Sequence, residues 1–192
     1  MDRIGASEAR DHMEMVERIL AESQQRLCSG GEYFVVWGII GAFITVIAEL
    51  ADRHRIGMTA LWSIPIVIVA GTLFSILRSR QTRPVLQRSS IVQREFFNVL
   101  WLTLGLAFVA DIALFRIFAG IAGAAIWSVA QAIVLFYIGM HGNRRAQIAG
   151  ILVVASLIAA NFSPPEVAGY VVAAGMLAGY TGFGISELLA AE

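Results

Sequence analysis

The stretch that decides the fold is YFVVWGIIGAFITVIAELA, residues 33–51, in which Glu49 is the only charged side chain. A run of about 20 apolar residues is long enough to cross the hydrocarbon core of a bilayer as a helix. Within lipid, only a helix or a closed barrel satisfies every backbone hydrogen bond, and this run lacks the apolar and polar alternation of a barrel strand. The stretch therefore predicts a transmembrane helix.

Five further apolar runs follow the first one. They lie at residues 59–77, 98–118, 121–140, 146–162 and 166–187. The composition agrees, because 58% of the residues are hydrophobic and only 15% are charged, which excludes a water-soluble monomer. The sequence thus predicts an all-α integral membrane protein, with a six-helix transmembrane domain at 33–192 and a cytoplasmic amphipathic helix and linker at 1–32.

The arginines predict the orientation of the chain. All 14 basic residues are arginine, and with six spans and a cytoplasmic N-terminus the cytoplasmic segments hold Arg3, Arg10, Arg18, Arg26, Arg78, Arg80, Arg83, Arg88, Arg94, Arg144 and Arg145. The outer segments hold only Arg53, Arg55 and Arg116. This bias predicts that both termini are cytoplasmic. The arginine-only basic residues and the compact loops favour a bacterial inner membrane.

Residues 7–28 have the pattern of an amphipathic helix outside the membrane. Its mostly apolar positions recur at spacings of three and four: Ala9, Met13, Val16, Leu20, Ser23 and Leu27. Acidic residues outnumber basic ones between residues 8 and 28, which disfavours binding to an anionic lipid surface. Three uses stay open: packing on this protein's own cytoplasmic side, self-association, and docking of another protein's helix. The candidate partner-binding residues are Met13, Val16, Leu20 and Leu27.

Ionisable residues inside the predicted spans are costly in lipid and are therefore the candidate site residues. Pairing of Arg116 with Glu49 or Asp111 is the structural interpretation. In the functional one, Asp111 is a protonatable or cation-coordinating group at the bottom of an outward-facing pocket. The candidate ligand-binding set is then Asp111, Gln131, Asn161, Glu49 and Arg116. Glu187 lies near the inner end of the last span, where we expect its carboxylate to reach water.

The last predicted span is rich in small residues. Gly175 and Gly179 form a GxxxG pair, and such faces let helix backbones approach closely. This predicts helix packing at Gly175 and Gly179, either within the bundle or in the seam of a homo-oligomer.

Two classes of function remain after the motifs are considered. The chain has no catalytic motif, its histidines (His12, His54 and His141) are too scattered for a metal or haem site, and no feature favours nucleic acid. We therefore expect no cofactor. The favoured function is a non-enzymatic membrane subunit or regulator that presents its cytoplasmic helix to a protein partner. The alternative is a small solute-binding or transport protein with a polar pocket around Asp111.

A resemblance to a known family supports the solute-binding alternative. In length and number of spans the chain is similar to the substrate-binding subunits of energy-coupling-factor vitamin transporters, which are also small six-helix membrane proteins. The resemblance covers length and hydropathy, and no ligand motif matches. It implies a solute pocket within the bundle.

Overall fold

The computed structural model describes residues 10–18, 30–82, 91–114 and 121–190. All regular structure in these ranges is helical. The helices are α1 (residues 10–18), α2 (Gly31–Asp52), α3 (Ser63–Thr82), α4 (Ile91–Leu114), α5 (Ile121–Met140), α6 (Arg144–Phe162), α7 (Pro165–Met176) and α8 (Gly182–Ala190). A 3₁₀ turn, Met58–Trp62, precedes α3, and a π-helical turn, Leu177–Thr181, joins α7 to α8.

Five helical segments are long and apolar enough to cross a membrane. They are Gly31–Asp52, Met58–Gln81, Gly123–Met140, Arg144–Phe162 and Pro165–Ala190. The prediction of an all-helical membrane protein is confirmed at this level. The predicted third span coincides with part of α4, whose apolar portion within the described residues is Asn98–Ala110. The end of that predicted span, at 115–118, lies outside the described residues, as does most of the predicted helix at 7–28.

Two of the described prolines, Pro65 and Pro165, lie in the first turns of helices. Pro65 is in the first turn of α3, directly after the 3₁₀ turn, and Pro165 is the first residue of α7. The first turn of a helix does not use its backbone N–H groups internally, so the missing donor of proline costs nothing there. The predicted second span therefore begins as a 3₁₀ turn followed by a fresh helix start.

Helix α2 lies at the centre of the fold. It packs along α7, the π turn and α8, which in turn pack against α6, and α6 packs against α5. One core cluster includes Phe34, Leu135 and Val153, and a second includes Ala42 and Met176. The core therefore lies where α2, α5, α6 and the last span meet.

Helices α3 and α4 flank this core. Only 6% of the Met58–Gln81 span is buried, against 61% of the Pro165–Ala190 span. Large apolar side chains such as Ile66 and Leu73 on α3, and Trp101 and Leu106 on α4, are more than half exposed. Because lipid tails are as apolar as leucine, such faces are stable against a bilayer and need no protein cover.

A tight turn joins α5 to α6. Gly142 has a φ of 96°, in the left-handed region that glycine adopts without steric cost. The next residue, Asn143, is the N-cap of α6, and its side-chain Oδ1 accepts hydrogen bonds from the backbone N–H groups of Arg145 and Ala146. The turn thereby fixes the position of Asn143 at this end of the bundle.

Candidate functional site

Glycines bring α2 and the last span into backbone contact. A Cβ atom built on Gly31 would lie 2.6 Å from the carbonyl oxygen of Gly184, and one built on Gly184 would lie 2.5 Å from the carbonyl oxygen of Gly31. Further along α2, a Cβ atom on Gly38 would collide with the side-chain oxygen and the backbone nitrogen of Thr181. Side chains from either helix that lie at this contact are therefore shielded from the surroundings of the bundle.

Glu49 is a buried carboxylate near the C-terminal end of α2. Only 7% of its surface is exposed. A Cβ atom on Gly169 of α7 would lie 2.5 Å from Glu49 Oε2, so the carboxylate occupies the space that a larger residue would fill. A buried carboxylate must be paired or protonated, since an isolated charge in a low-dielectric interior is very costly.

Arg53 supplies the pairing charge for Glu49. Its Nε donates to Glu49 Oε1 at 2.5 Å, and its guanidinium also donates to the carbonyl oxygen of Pro165. Arg53 lies one helical turn after Glu49 on the same helix, so the pair forms locally and then bridges to the start of α7. The sequence had suggested Arg116 for this role, and Arg116 lies outside the described residues.

Glu187 is the second buried carboxylate, and it lies near the C-terminal end of α8. It is 8% exposed, so the expectation that it reaches water was wrong. Glu187 Oε1 accepts a hydrogen bond from Asn143 Nδ2 at 3.2 Å and lies 4.0 Å from a guanidinium nitrogen of Arg145. The N-cap and the first turn of α6 place these partners beside the carboxylate.

A third carboxylate ties α3 to α2. The Glu32 carboxylate accepts hydrogen bonds from Nε and from a terminal nitrogen of Arg78, which is a bidentate ion pair. The distance from Arg78 Nη2 to Glu32 Oε1 is 2.5 Å. Further along the same interface, Trp37 Nε1 donates to Ser75 Oγ at 3.0 Å. These polar contacts join α2 to α3, a helix that buries little of its surface.

The middle of the bundle holds Gln131, which is 9% exposed. Its side-chain Oε1 has no hydrogen-bond partner among the described residues. A Cβ atom on Gly41 of α2 would lie 3.1 Å from Gln131 Nε2 and 3.3 Å from the sulfur of Met176, so the amide lies against α2 and close to the last span. The hydroxyl of Thr45 is also on this face and donates to the Gly41 carbonyl at 2.9 Å.

The π turn places a second buried group without a hydrogen-bond partner among the described residues against α2. Thr181, its last residue, is 9% exposed, and its hydroxyl oxygen has no hydrogen-bond partner among the described residues. Tyr180, just before it, is buried with its ring centroid 5.0 Å from that of Phe34. Single π-helical turns within α-helices occur frequently at functional sites.

The predicted ligand-binding residues occupy different environments. Glu49 is buried and paired, Gln131 is buried and unpaired at Oε1, and Asn161 is exposed near the C-terminal end of α6. Asp111 is on α4, and its side chain lies outside the description. Among the members of this set whose side chains are described, Gln131 is the one with an unused polar atom in the interior.

The GxxxG pair faces α6. A Cβ atom on Gly175 would overlap the side chain of Ser156, and one on Gly179 would lie 2.5 Å from Val153 and 2.8 Å from the Ala149 carbonyl oxygen. The last span therefore presents two glycine faces, one toward α2 and the other toward α6. It is wedged between them at close range.

Helix α1 is the described part of the predicted amphipathic helix. All of its residues are exposed, including Met13 at 67% and Val16 at 55%. Leu20 and Leu27, the other candidate partner-binding residues, lie outside the described residues. Two apolar side chains one turn apart are thus available on α1.

Several polar groups of the interior were missed by the sequence analysis. Arg53 had been assigned to an outer segment, although its spacing of four from Glu49 is the signal of an ion pair along a helix. Asn143 follows a glycine at the start of a helix, which is an N-cap signal. Thr181 has no such signal. Among the described residues, no three His, Cys, Asp or Glu side chains converge as metal ligands would.

Comparison with known proteins yields no relative. No protein-family model matches this chain, and neither a curated protein nor a solved structure does so. The functional argument therefore rests on the geometry of the chain itself.

Proposed function

We propose that this protein is a non-enzymatic, multi-pass membrane subunit or regulator that presents its N-terminal helix to a protein partner. The observation that supports this is the exposure of every residue of α1, with Met13 and Val16 on one face and more than half exposed. Apolar side chains on a helix outside the membrane gain free energy when a partner removes them from water. The buried carboxylates Glu49 and Glu187, by contrast, are engaged in structural contacts.

The chemistry of α1 indicates what the partner offers. Asp11, Glu14 and Glu17 outnumber Arg10 and Arg18, so the surface around the apolar pair is acidic. A complementary surface is an apolar groove or helix face with basic residues at its rim, because matched charges steer association and fix the register. A second copy of the same acidic helix lacks this complementarity, which favours a different protein over a homo-oligomer.

A photo-crosslinking experiment in native membranes tests the proposal. A crosslinking amino acid at position 16 reports on the apolar face, and the same residue at Met15, which is 60% exposed but on another side of the helix, is the matched control. We expect one defined protein adduct at position 16, little at position 15, and loss of the adduct when Met13→Glu is added. Equal labelling at both positions, or none, contradicts the proposal.

Deletion of residues 1–28 separates partner binding from folding. We expect the deleted protein to insert and to retain its thermal stability while losing the partner in native mass spectrometry. If the deletion instead prevents folding, the helix belongs to the protein's own core and the proposal fails.

We further propose six spans in a bacterial inner membrane, with both termini cytoplasmic. The arginine distribution supports this orientation, and α4 supports a sixth span because it is helical over Ile91–Leu114. The single cysteine, Cys28, makes the test direct. A membrane-impermeant maleimide should label Cys28 only after permeabilisation, whereas in a Cys28→Ser background a cysteine at Ser163 should react in intact cells. Labelling of Cys28 in intact cells contradicts the orientation.

One observation supports the second candidate, a solute-binding protein. The unpaired Oε1 of buried Gln131 is a hydrogen-bonding group of the kind that orients a small ligand. Asn161 does not support it, since that residue is exposed. Native mass spectrometry after gentle extraction distinguishes the candidates: a retained small molecule that is lost in Asp111→Asn favours solute binding around Asp111, and a stoichiometric protein companion favours the subunit.

A further inference from the structure

Two buried polar atoms, on side chains that lie against α2, have no hydrogen-bond partner among the described residues. They are Gln131 Oε1 in the middle of α5 and Thr181 Oγ1 at the end of the π turn. Both residues are 9% exposed. A bilayer offers no water to an unpaired amide oxygen, so leaving it unsatisfied inside a membrane bundle is costly.

The two side chains meet α2 at positions that are three residues apart. The Cβ position of Gly41 is 3.1 Å from Gln131 Nε2, and the Cβ position of Gly38 meets Thr181 Oγ1. Residues three apart on a helix are separated by about 4.5 Å along its axis. A single molecule that makes two hydrogen bonds of about 2.8 Å bridges polar atoms roughly 5 Å apart.

Neighbouring donors are already engaged. The hydroxyl of Thr45 points to the Gly41 carbonyl and the sulfur of Met176, and the buried hydroxyl of Ser128 donates to the Ala124 carbonyl. A hydroxyl has one proton to donate, so neither can also serve Gln131 Oε1. The donor that this acceptor requires must therefore come from a molecule other than these side chains.

We propose that a water molecule binds inside the bundle between α2, α5 and the π turn, donates to Gln131 Oε1 and exchanges a hydrogen bond with the Thr181 hydroxyl. Thr181 fits either role, because a hydroxyl both donates and accepts. Buried waters in proteins satisfy such orphaned groups and make two to four hydrogen bonds. This water site does not depend on the proposed partner binding by α1. It gives a structural role to Gln131 and Thr181, which partner binding does not involve.

Hydroxyl-radical footprinting of the full-length protein in detergent tests for this water. Radiolysis of a bound water modifies the side chains beside it, even where bulk solvent cannot reach. Met176 and Tyr180 are the reporters, since they are 1% and 7% exposed and lie at the site. Val153, at 0% exposure, is the reference for a buried residue, and Met58, at 66%, is the reference for an exposed one.

We expect Met176 and Tyr180 to be modified several-fold faster than Val153 after correction for intrinsic reactivity. Thr181→Val, which replaces the hydroxyl by a methyl group, and Gln131→Leu should each lower that rate several-fold. Thr72→Val is the matched control, because Thr72 is an exposed threonine of α3, and it should leave the rate unchanged. Thermal stability of each variant, measured alongside, shows that the fold is retained; Thr181→Val serves alone if Gln131→Leu does not fold.

Three results overturn the proposal. Reporter rates as low as that of Val153 in the natural protein mean that the site is dry. High rates that persist in both variants mean that Gln131 and Thr181 do not hold the water. A retained organic molecule that native mass spectrometry detects, and that Gln131→Leu removes, means that a solute occupies the site instead.

Discussion

Gly31 and Gly184 meet backbone to backbone, each with the carbonyl oxygen of the other where its own side chain would be. The distances from the built Cβ atoms to these oxygens are 2.6 Å and 2.5 Å, closer than real side chains approach. Because both obstacles are backbone atoms, they cannot move aside as a flexible side chain can. This contact sets the distance between α2 and the last span.

Replacement of Gly184 by alanine should therefore separate the two helices. Overpacking of a close contact costs about 1–3 kcal/mol, so we expect Gly184→Ala to lower the unfolding temperature clearly in a detergent melt. Gly105→Ala is the control, since no atom lies within 4 Å of that Cβ position and alanine is the better helix former. Equal effects of the two substitutions would show that the contact does not limit the packing.

Arg53 should contribute more to the free energy of unfolding than its position near a helix end suggests. Arg53→Met leaves the buried carboxylate of Glu49 without a counter-charge, and we expect a loss of about 3 kcal/mol, at the low end for a buried pair because Arg53 is partly exposed. The double variant Glu49→Gln with Arg53→Met should recover much of the loss. Arg55→Met, at an exposed arginine nearby, should have little effect. Chemical denaturation in detergent measures all three.

Asn143 has two roles that substitution can separate. Asn143→Ser keeps the helix cap but loses the amide that donates to Glu187, whereas Asn143→Asp keeps the cap and sets a second carboxylate beside Glu187. We expect a modest loss of about 1 kcal/mol for serine and a larger loss for aspartate. If aspartate matches asparagine in thermal stability, the contact with Glu187 contributes nothing.

The hydrogen bond from Trp37 to Ser75 should help to hold α3 in place. Ser75→Ala removes it, and we expect a cost of about 0.5–1.5 kcal/mol. Thr72→Ala is the control, since its hydroxyl bonds only to the Ile68 carbonyl of the same helix. A spin-label distance between α2 and α3 should broaden in Ser75→Ala alone; identical distance distributions in both variants would contradict the role.

Apolar length predicted the five helical segments that are long enough to cross a membrane, but it did not predict which of them are neighbours. A helix that is apolar on all sides carries no stripe to indicate its buried face, so the central position of α2 and the flanking position of α3 were not predictable from hydropathy. Glycines carried more of this information than the large residues did. Gly31, Gly38 and Gly169 each lie where another helix comes closest.

The polar residues were located by the sequence, but not their partners. Glu49 and Glu187 were identified as costly groups, yet one pairs along its own helix and the other pairs with a residue in the α5–α6 turn. Pairing of this kind depends on where turns and helix ends meet in space. Gln131 is buried in the bundle, whereas Asn161, similar in chemistry, lies on an exposed face of α6.

The packing of α2 against the last span has a consequence for biosynthesis. Ribosomes add about 5–20 residues per second, so the stretch between α2 and the end of α8 takes on the order of ten seconds to make. Throughout that interval the glycine face of α2, and Glu49 with it, has no α7 or α8 to cover it. Helix α2 is thus enclosed only after the last described helices have been made.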